Sequence, residues 1–172
     1  TDMAVDQIVN EAIVIDEELP VDLNLDNLEQ PDAVKEKIRE EFYEILKLLD
    51  FKNKAYELFR DWYIDGRLYF HMMINEKKPR LGIREVRKID PRKIKKIRKK
   101  IIETDPKTRV KIERGYEEFF IYSPKGVDDR KSTAGTPGQT MEQVKIAPDS
   151  ICFVPSGLMD ARNNLIISYL HK

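Results

Sequence analysis

The chain has 172 residues, one domain's worth, with 41% hydrophobic and 36% charged residues and a formal net charge of zero; a chain of this length buries about 70% of its unfolded surface, enough for a core. A membrane-spanning helix needs about 20 consecutive apolar residues, and the best stretches, residues 68–74 and 151–154, are far shorter, while no charged leader with an apolar run opens the chain. A single cysteine, Cys152, excludes an internal disulfide framework and a multi-cysteine zinc site, so the chain reads as a soluble, reduced globular protein.

In chain order, Val5, Ile8, Val9 and Ala12 fall at i, i+3, i+4 and i+7, one face of a helix. Val21 to Leu25 alternate with period two and predict a short strand. Pro31 opens a helix whose stripe is Val34, Ile38, Phe42, Ile45 and Leu49. A further helix carries Ala55, Leu58, Phe59 and Trp62 inward and ends at Gly66. Leu68, Phe70, Met72 and Ile74 alternate with Arg67, Tyr69, His71 and Met73, a strand with one apolar face. Ile83, Val86 and Ile89 recur every three residues, a spacing that suits neither strand nor long helix.

Asp90 and Pro91 offer an N-cap and a first-turn proline, and Ile94, Ile97 and Ile101 follow at helical spacing, so 92–102 is predicted as a helix or helical turn. Strands are expected around Val110 and Ile112, over 118–122, 144–146 and 151–154. A mobile loop is expected over 123–140, where Gly and Pro abound and apolar periodicity is absent. Leu165, Ile166, Tyr169 and Leu170 are spaced as the start of a last helix over 156–172. Both ends thus fall inside helical patterns, which reads as a fragment of a longer protein. Read by region, residues 1–65 are mainly helical and 66–155 mainly β, a single domain of class α+β with N-terminal helices on a small, mostly antiparallel sheet.

Catalytic and metal chemistry find little support. His71 and His171 lie far apart, and no His/Cys cluster has metal-ligand spacing. The stretch from Gly126 to Ser132 lacks the second glycine of a phosphate loop, Arg130 standing in its place. Ser156-Gly157 lacks the preceding glycine of a nucleophile elbow. Glu117 and Glu118 are adjacent, so on a strand they point to opposite faces. The chain therefore reads as a non-enzyme with no cofactor and no metal.

Charge is the strongest signal. Residues 1–50 hold 15 acidic and 4 basic residues, whereas residues 77–100 hold 13 basic residues against Glu85 and Asp90. Arg92, Lys93, Lys95, Lys96, Lys99 and Lys100 form the candidate partner surface. On a helix Arg92/Lys96, Lys95/Lys99 and Lys96/Lys100 would be repelling i, i+4 pairs, with only Glu103 to relieve Lys99 and Lys100. Three readings stay open for this run: a solvated face with packed aliphatic stems, a surface for an acidic protein segment, or a grip on nucleic-acid phosphates.

Five blocks carry a resemblance. Residues 2–14, DMAVDQIVNEAIV, are similar to a pattern V-D-x-A-V-x-E-I-V-x-x-A-I-V, and residues 59–71, FRDWYIDGRLYFH, to F-R-x-W-Y-x-D-x-R-x-x-F-H. Residues 82–92, GIREVRKIDPR, are similar to G-I-x-E-L-R-x-L-D-P-R, and GYEEFFIY at 115–122 with SGLMD at 156–160 and ISYLH at 167–171 complete the set. In this order they resemble the portal vertex protein, or head–tail connector, of T-even-type tailed phages, across essentially the whole chain. Residues 132–143 match nothing in that pattern.

The resemblance implies a homo-oligomeric, dodecameric ring at one capsid vertex of the virion, assembled in the host cytoplasm. Such a ring nucleates capsid assembly, passes double-stranded DNA in packaging and ejection, and meets the major capsid protein, scaffold, terminase motor and neck proteins. This chain would be its peripheral wing, with little direct DNA contact and no membrane span. The resemblance also implies a strand near 83–89. The opposed charge runs would suit a heterologous contact between neighbouring subunits. The rival reading is a basic nucleic-acid-binding module gripping phosphates with 91–100.

Overall fold

A computed structural model describes residues 2–14, 21–104, 109–127, 143–161 and 165–171. Among these residues the fold is α+β: three α-helices, α1 (Asp2–Ala12), α2 (Asp32–Leu48) and α3 (Phe51–Asp65), precede six strands. These are β1 (Arg67–Ile74), β2 (Ile83–Ile89), β3 (Ile94–Thr104), β4 (Lys111–Tyr122), β5 (Val144–Ile146) and β6 (Ile151–Pro155). The β content is divided between two three-stranded sheets rather than one, in the orders β2-β1-β6 and β3-β4-β5. The chain forms two compact units, one of Thr1–Arg67, Met73–Arg87 and Pro155–Lys172, the other of Leu68–Met72 and Lys88–Val154.

In the first unit α1 and α2 each pack on α3. Of the four residues predicted for the apolar face of α1, Val5 and Val9 are buried whereas Ile8 and Ala12 are exposed, and Arg60 of α3 donates to Asp6 of α1 at 3.0 Å. The α2–α3 turn closes at Asp50, held in the left-handed region at φ 51°. Its side chain accepts from Asn53 Nδ2 at 2.7 Å, the local compensation that lets an Asp adopt this geometry. Gly66 ends α3 at φ 71°, its N–H donating to Trp62 O, the glycine stop expected there.

Residues 21–25 form no strand. The Asp22 and Asn24 side chains accept from the backbone N–H groups of Leu23 and Asp26 at 2.7 and 2.9 Å, local turns that replace a ladder. The helix expected over 156–172 is likewise not formed among its described residues. Met159 bridges Ile166 in antiparallel fashion, and Ile167 N–H donates to Leu158 O at 3.1 Å. Ser156 Oγ donates to Ile167 O at 2.7 Å, and Tyr169 stacks on Tyr63 with centroids 5.3 Å apart. Once these backbone groups are engaged across the turn they are not free for i→i−4 bonds, and Ile166 and Ile167 are β-branched, which favours the extended form.

The second unit is built around Tyr69 of β1, Ile94 of β3, Phe120 of β4 and Ile151 of β6, all buried. Tyr69 stacks on Phe153 with centroids 4.9 Å apart and meets Phe120 edge-on at 6.0 Å. Alternation in β1 predicts one apolar face, yet Leu68, Tyr69 and Phe70 are all buried: the tyrosine counted as polar supplies a ring to the core. Most of the loop expected over 123–140 lies outside the described residues.

Candidate functional site

The basic run is a strand and not a helix. Asp90 does not cap a helix but closes a turn: its Oδ1 accepts from Arg92 N at 2.9 Å, and its carbonyl accepts from Lys93 N at 2.9 Å. The turn is clamped from the other side, where Lys93 O accepts from Ser123 N and Arg92 O from Val127 N. Beyond it, β3 pairs antiparallel with β4 from Ile94↔Tyr122 to Thr104↔Lys111, with a bulge between Ile101 and Ile102. The physical reason is charge. A helix would stack like charges four residues apart, whereas the ladder sets Arg98 and Lys99 opposite Glu118 and Glu117 and brings Lys96 and Lys100 within reach of Glu118 and Glu113, where opposite charges stabilise the pair.

The strand period splits the candidate residues between two faces. Lys96, Arg98 and Lys100 share the face of Ile94 and Phe120. Lys96 Nζ lies 2.9 Å from Glu118, Arg98 Nε 3.5 Å from the same carboxylate, and Lys100 Nζ 3.1 Å from Glu113. The Arg98 guanidinium also sits 4.0 Å over the Tyr116 ring. On the opposite face are Lys95, Ile97, Lys99 and Ile101 of β3, with Glu117 and Phe119 of β4 and Lys145 of β5 opposite Ile121. Lys145 Nζ pairs with Glu117 at 2.6 Å and lies 4.1 Å over the Phe119 ring. Arg92 and Lys93 belong to the turn, and Arg92 is held by Asp90 at 2.8 Å. The six residues are thus not one patch.

The electrostatics follow from these contacts. A hydrogen bond from Lys145 holds the Glu117 carboxyl below its usual range, and one from Lys96 does the same for Glu118. Glu113 is lowered first by a hydrogen bond from Tyr116 and then by Lys100, whose own pKa is raised by that carboxylate. Asp90 is lowered by the Arg92 side chain and backbone. All are exposed pairs, each worth little in stability, but they give Lys96, Arg98 and Lys100 partners within their own hairpin. The expected relief from Glu103 goes elsewhere: it pairs with Arg114 across the hairpin at 2.6 Å.

Glu113 and the pair Glu117 and Glu118 are what a reading of the run in isolation misses. The available signal was the opposite sign of 113–118 and the hairpin spacing across 105–110. The adjacency of Glu117 and Glu118 does place them on opposite faces, each meeting a different lysine. Eight basic and four acidic residues lie on β3, β4 and β5. The second unit as a whole carries 16 basic and 10 acidic residues, the first 15 basic and 21 acidic. Each unit therefore bears six charges of opposite sign to the other.

Among the described residues no group of His, Cys, Asp and Glu could hold a metal ion, and no helix is long and apolar enough to cross a membrane. His71 lies half-buried in β1, and Cys152 is exposed in β6. The phosphate-loop look-alike from Gly126 to Ser132 lies mostly outside the described residues.

The pattern of the family described as "Bacteriophage T4-like portal protein (Gp20)" matches residues 1–172. The portal protein of Vibrio phage KVP40 is 33% identical over 174 aligned residues, which cover 99% of this chain and 33% of that protein. The portal protein of Salmonella phage ViI is 42% identical over 96 residues, 55% of this chain and 17% of that protein. The chain spans about one third of the length of the Vibrio relative. With a family match along its whole length, this chain belongs to the T4-like phage portal proteins.

Proposed function

We propose that this chain is the peripheral wing part of a phage portal ring, a dodecameric head–tail connector at one vertex of the virion. In that role the intact protein nucleates capsid assembly in the host cytoplasm. It also forms the channel for DNA packaging and ejection, and meets capsid, scaffold, terminase motor and neck proteins. The family match over every residue carries this reading. The chain's contribution is architectural and not enzymatic; the energy for DNA movement comes from a separate motor. Particle mass and negative-stain images of the full-length protein test it: rings with a central channel are expected, and a monomer under the same conditions would overturn it.

The rival, a phosphate-gripping module, is disfavoured by the hairpin, because Lys96, Arg98 and Lys100 already meet carboxylates. Six phosphate contacts would give a log–log salt slope of about −5 in duplex-DNA binding. Weak binding with a slope nearer zero is expected, and the steep slope would restore the rival.

A further inference from the structure

The turn from β1 into β2 carries cations that no described residue answers. Residues 76–87 hold five basic and two acidic residues. Glu85 is taken by Arg87 at 2.8 Å, which leaves Glu76 as the other carboxylate beside Lys77, Lys78, Arg80 and Arg84. All four of these cations are exposed, and none has an ion pair among the described residues. The run on β3 differs, since Lys96, Arg98 and Lys100 meet carboxylates of β4. Cations held close together without a counter-charge repel one another, and an anionic partner removes that cost.

Charge alone leaves the class of partner open, and apolar exposure narrows it. Leu81, between Arg80 and Arg84, is 72% accessible, and Ile74 at the end of β1 is 54% accessible. A phosphate backbone offers charge and oxygen acceptors but nothing for a leucine to bury against, whereas a segment mixing carboxylates with aliphatic side chains answers both. The tip is also ordered before any partner arrives. Lys77 N–H donates to Asn75 Oδ1 at 3.0 Å, Lys78 N–H to Asn75 O at 3.0 Å, Leu81 N–H to Lys78 O at 3.1 Å and Gly82 N–H to Pro79 O at 3.2 Å. Such a turn loses little backbone freedom on binding. Its eight residues, 77–84, fall well short of the roughly 20–30 a side of a standard interface, so the partner it fits is one short segment, held weakly and sensitive to salt.

We infer that the 77–84 tip is a docking site for a short acidic segment of another protein, with Lys77, Lys78, Arg80 and Arg84 around its carboxylates and Leu81 against one of its aliphatic side chains. The site lies within one compact unit and does not depend on ring formation, so it stands or falls apart from the portal reading.

The test uses the full-length protein and a short fluorescein-labelled peptide of alternating Glu-Glu and Leu-Leu pairs, read by anisotropy. Saturable binding that weakens with salt is expected. Arg80→Glu together with Arg84→Glu should weaken it about tenfold, and Leu81→Ser about fivefold. Replacing the peptide's leucines by glycine should cost a similar factor on the unmodified protein and little more on the Leu81→Ser variant. Binding indifferent to both leucine changes would overturn the inference by reducing the tip to a bare charge patch. Absence of binding, or binding unmoved by the arginine reversals, would overturn it outright. Tighter binding to duplex DNA or to phosphatidylserine vesicles, lost in the same variants, would overturn it in favour of a phosphate or lipid surface.

Discussion

Replacing Gly66 by alanine should destabilise the first unit through two separable effects. The residue sits at φ 71°, and a Cβ there would lie 2.7 Å from Ile167 O and 2.9 Å from both Ile167 C and Ser168 Cα. All three are backbone atoms, so no rotamer change relieves the contact. The left-handed conformation alone costs an L-residue about 1–2 kcal/mol. Moving the 167–168 backbone aside would also weaken two hydrogen bonds, Ser156 N–H to Gly66 O and Ser156 Oγ–H to Ile167 O, both 2.7 Å. At about 1 kcal/mol each, the total reaches about 3–4 kcal/mol. On a chain of this size that corresponds to a fall in Tm of about 6–16 °C.

Gly157→Ala is the control, since Gly157 has φ 81° and nothing within 4 Å of the added Cβ; it should lose only the conformational part. Thermal unfolding followed by fluorescence of Trp62, the only tryptophan, reads the region directly, because its ring lies 5.2 Å from that of Tyr169. Equal losses for the two variants would refute the close approach of 167–168 to Gly66.

Three further outcomes follow from the packing and the charge pairs. Phe120→Ala should cost about 3–5 kcal/mol, because the ring is buried between Tyr69 and Phe153; a loss under about 1 kcal/mol in denaturant titration would contradict that core. Ser156→Ala should lower stability by about 1–2 kcal/mol by leaving Ile167 O without its donor, whereas Ser156→Thr should retain part of it. Glu113, Glu117 and Glu118 have lowered pKa values. The stabilisation they lend is therefore present above the ordinary carboxylate range and is lost as pH falls through their folded values. Amide protection factors in β3 and β4, each relative to the intrinsic exchange rate at its own pH and compared at neutral pH and at roughly pH 3, should fall more at 98–104 than at 94–96; a uniform change would argue that the ion pairs do not hold this end of the hairpin.

Legibility differed by element for identifiable reasons. The three helices were readable because a 3.6-residue apolar period and the Gly66 stop are local properties, but in α2 the buried residue is Leu46, outside the predicted stripe, of which Val34, Ile38 and Ile45 are exposed. β2 was not readable from its three-residue spacing and came only from the family resemblance. The 92–102 segment misled, since Ile94, Ile97 and Ile101 fit a helical period while the decisive partner, the acidic β4, lies a dozen or more residues further on. Residues 165–170 misled in the same way: their spacing is helical, but Ser156 Oγ, Leu158 O and Asp160 N, earlier in the chain, occupy backbone groups a helix would use.

The sequence by itself determined the α+β class, the charge asymmetry and, through five ordered blocks matched along the whole chain, the portal family. Each is carried by composition, short-range period or residue identity, none of which needs long-range contacts. Tertiary structure decided which way each side chain faces. It split the basic run between two faces of a sheet and matched Lys96, Arg98 and Lys100 to β4 carboxylates. A strand alternates its faces, and its cross-strand neighbours are fixed by register, so charge that looks continuous along the chain is divided and neutralised in space.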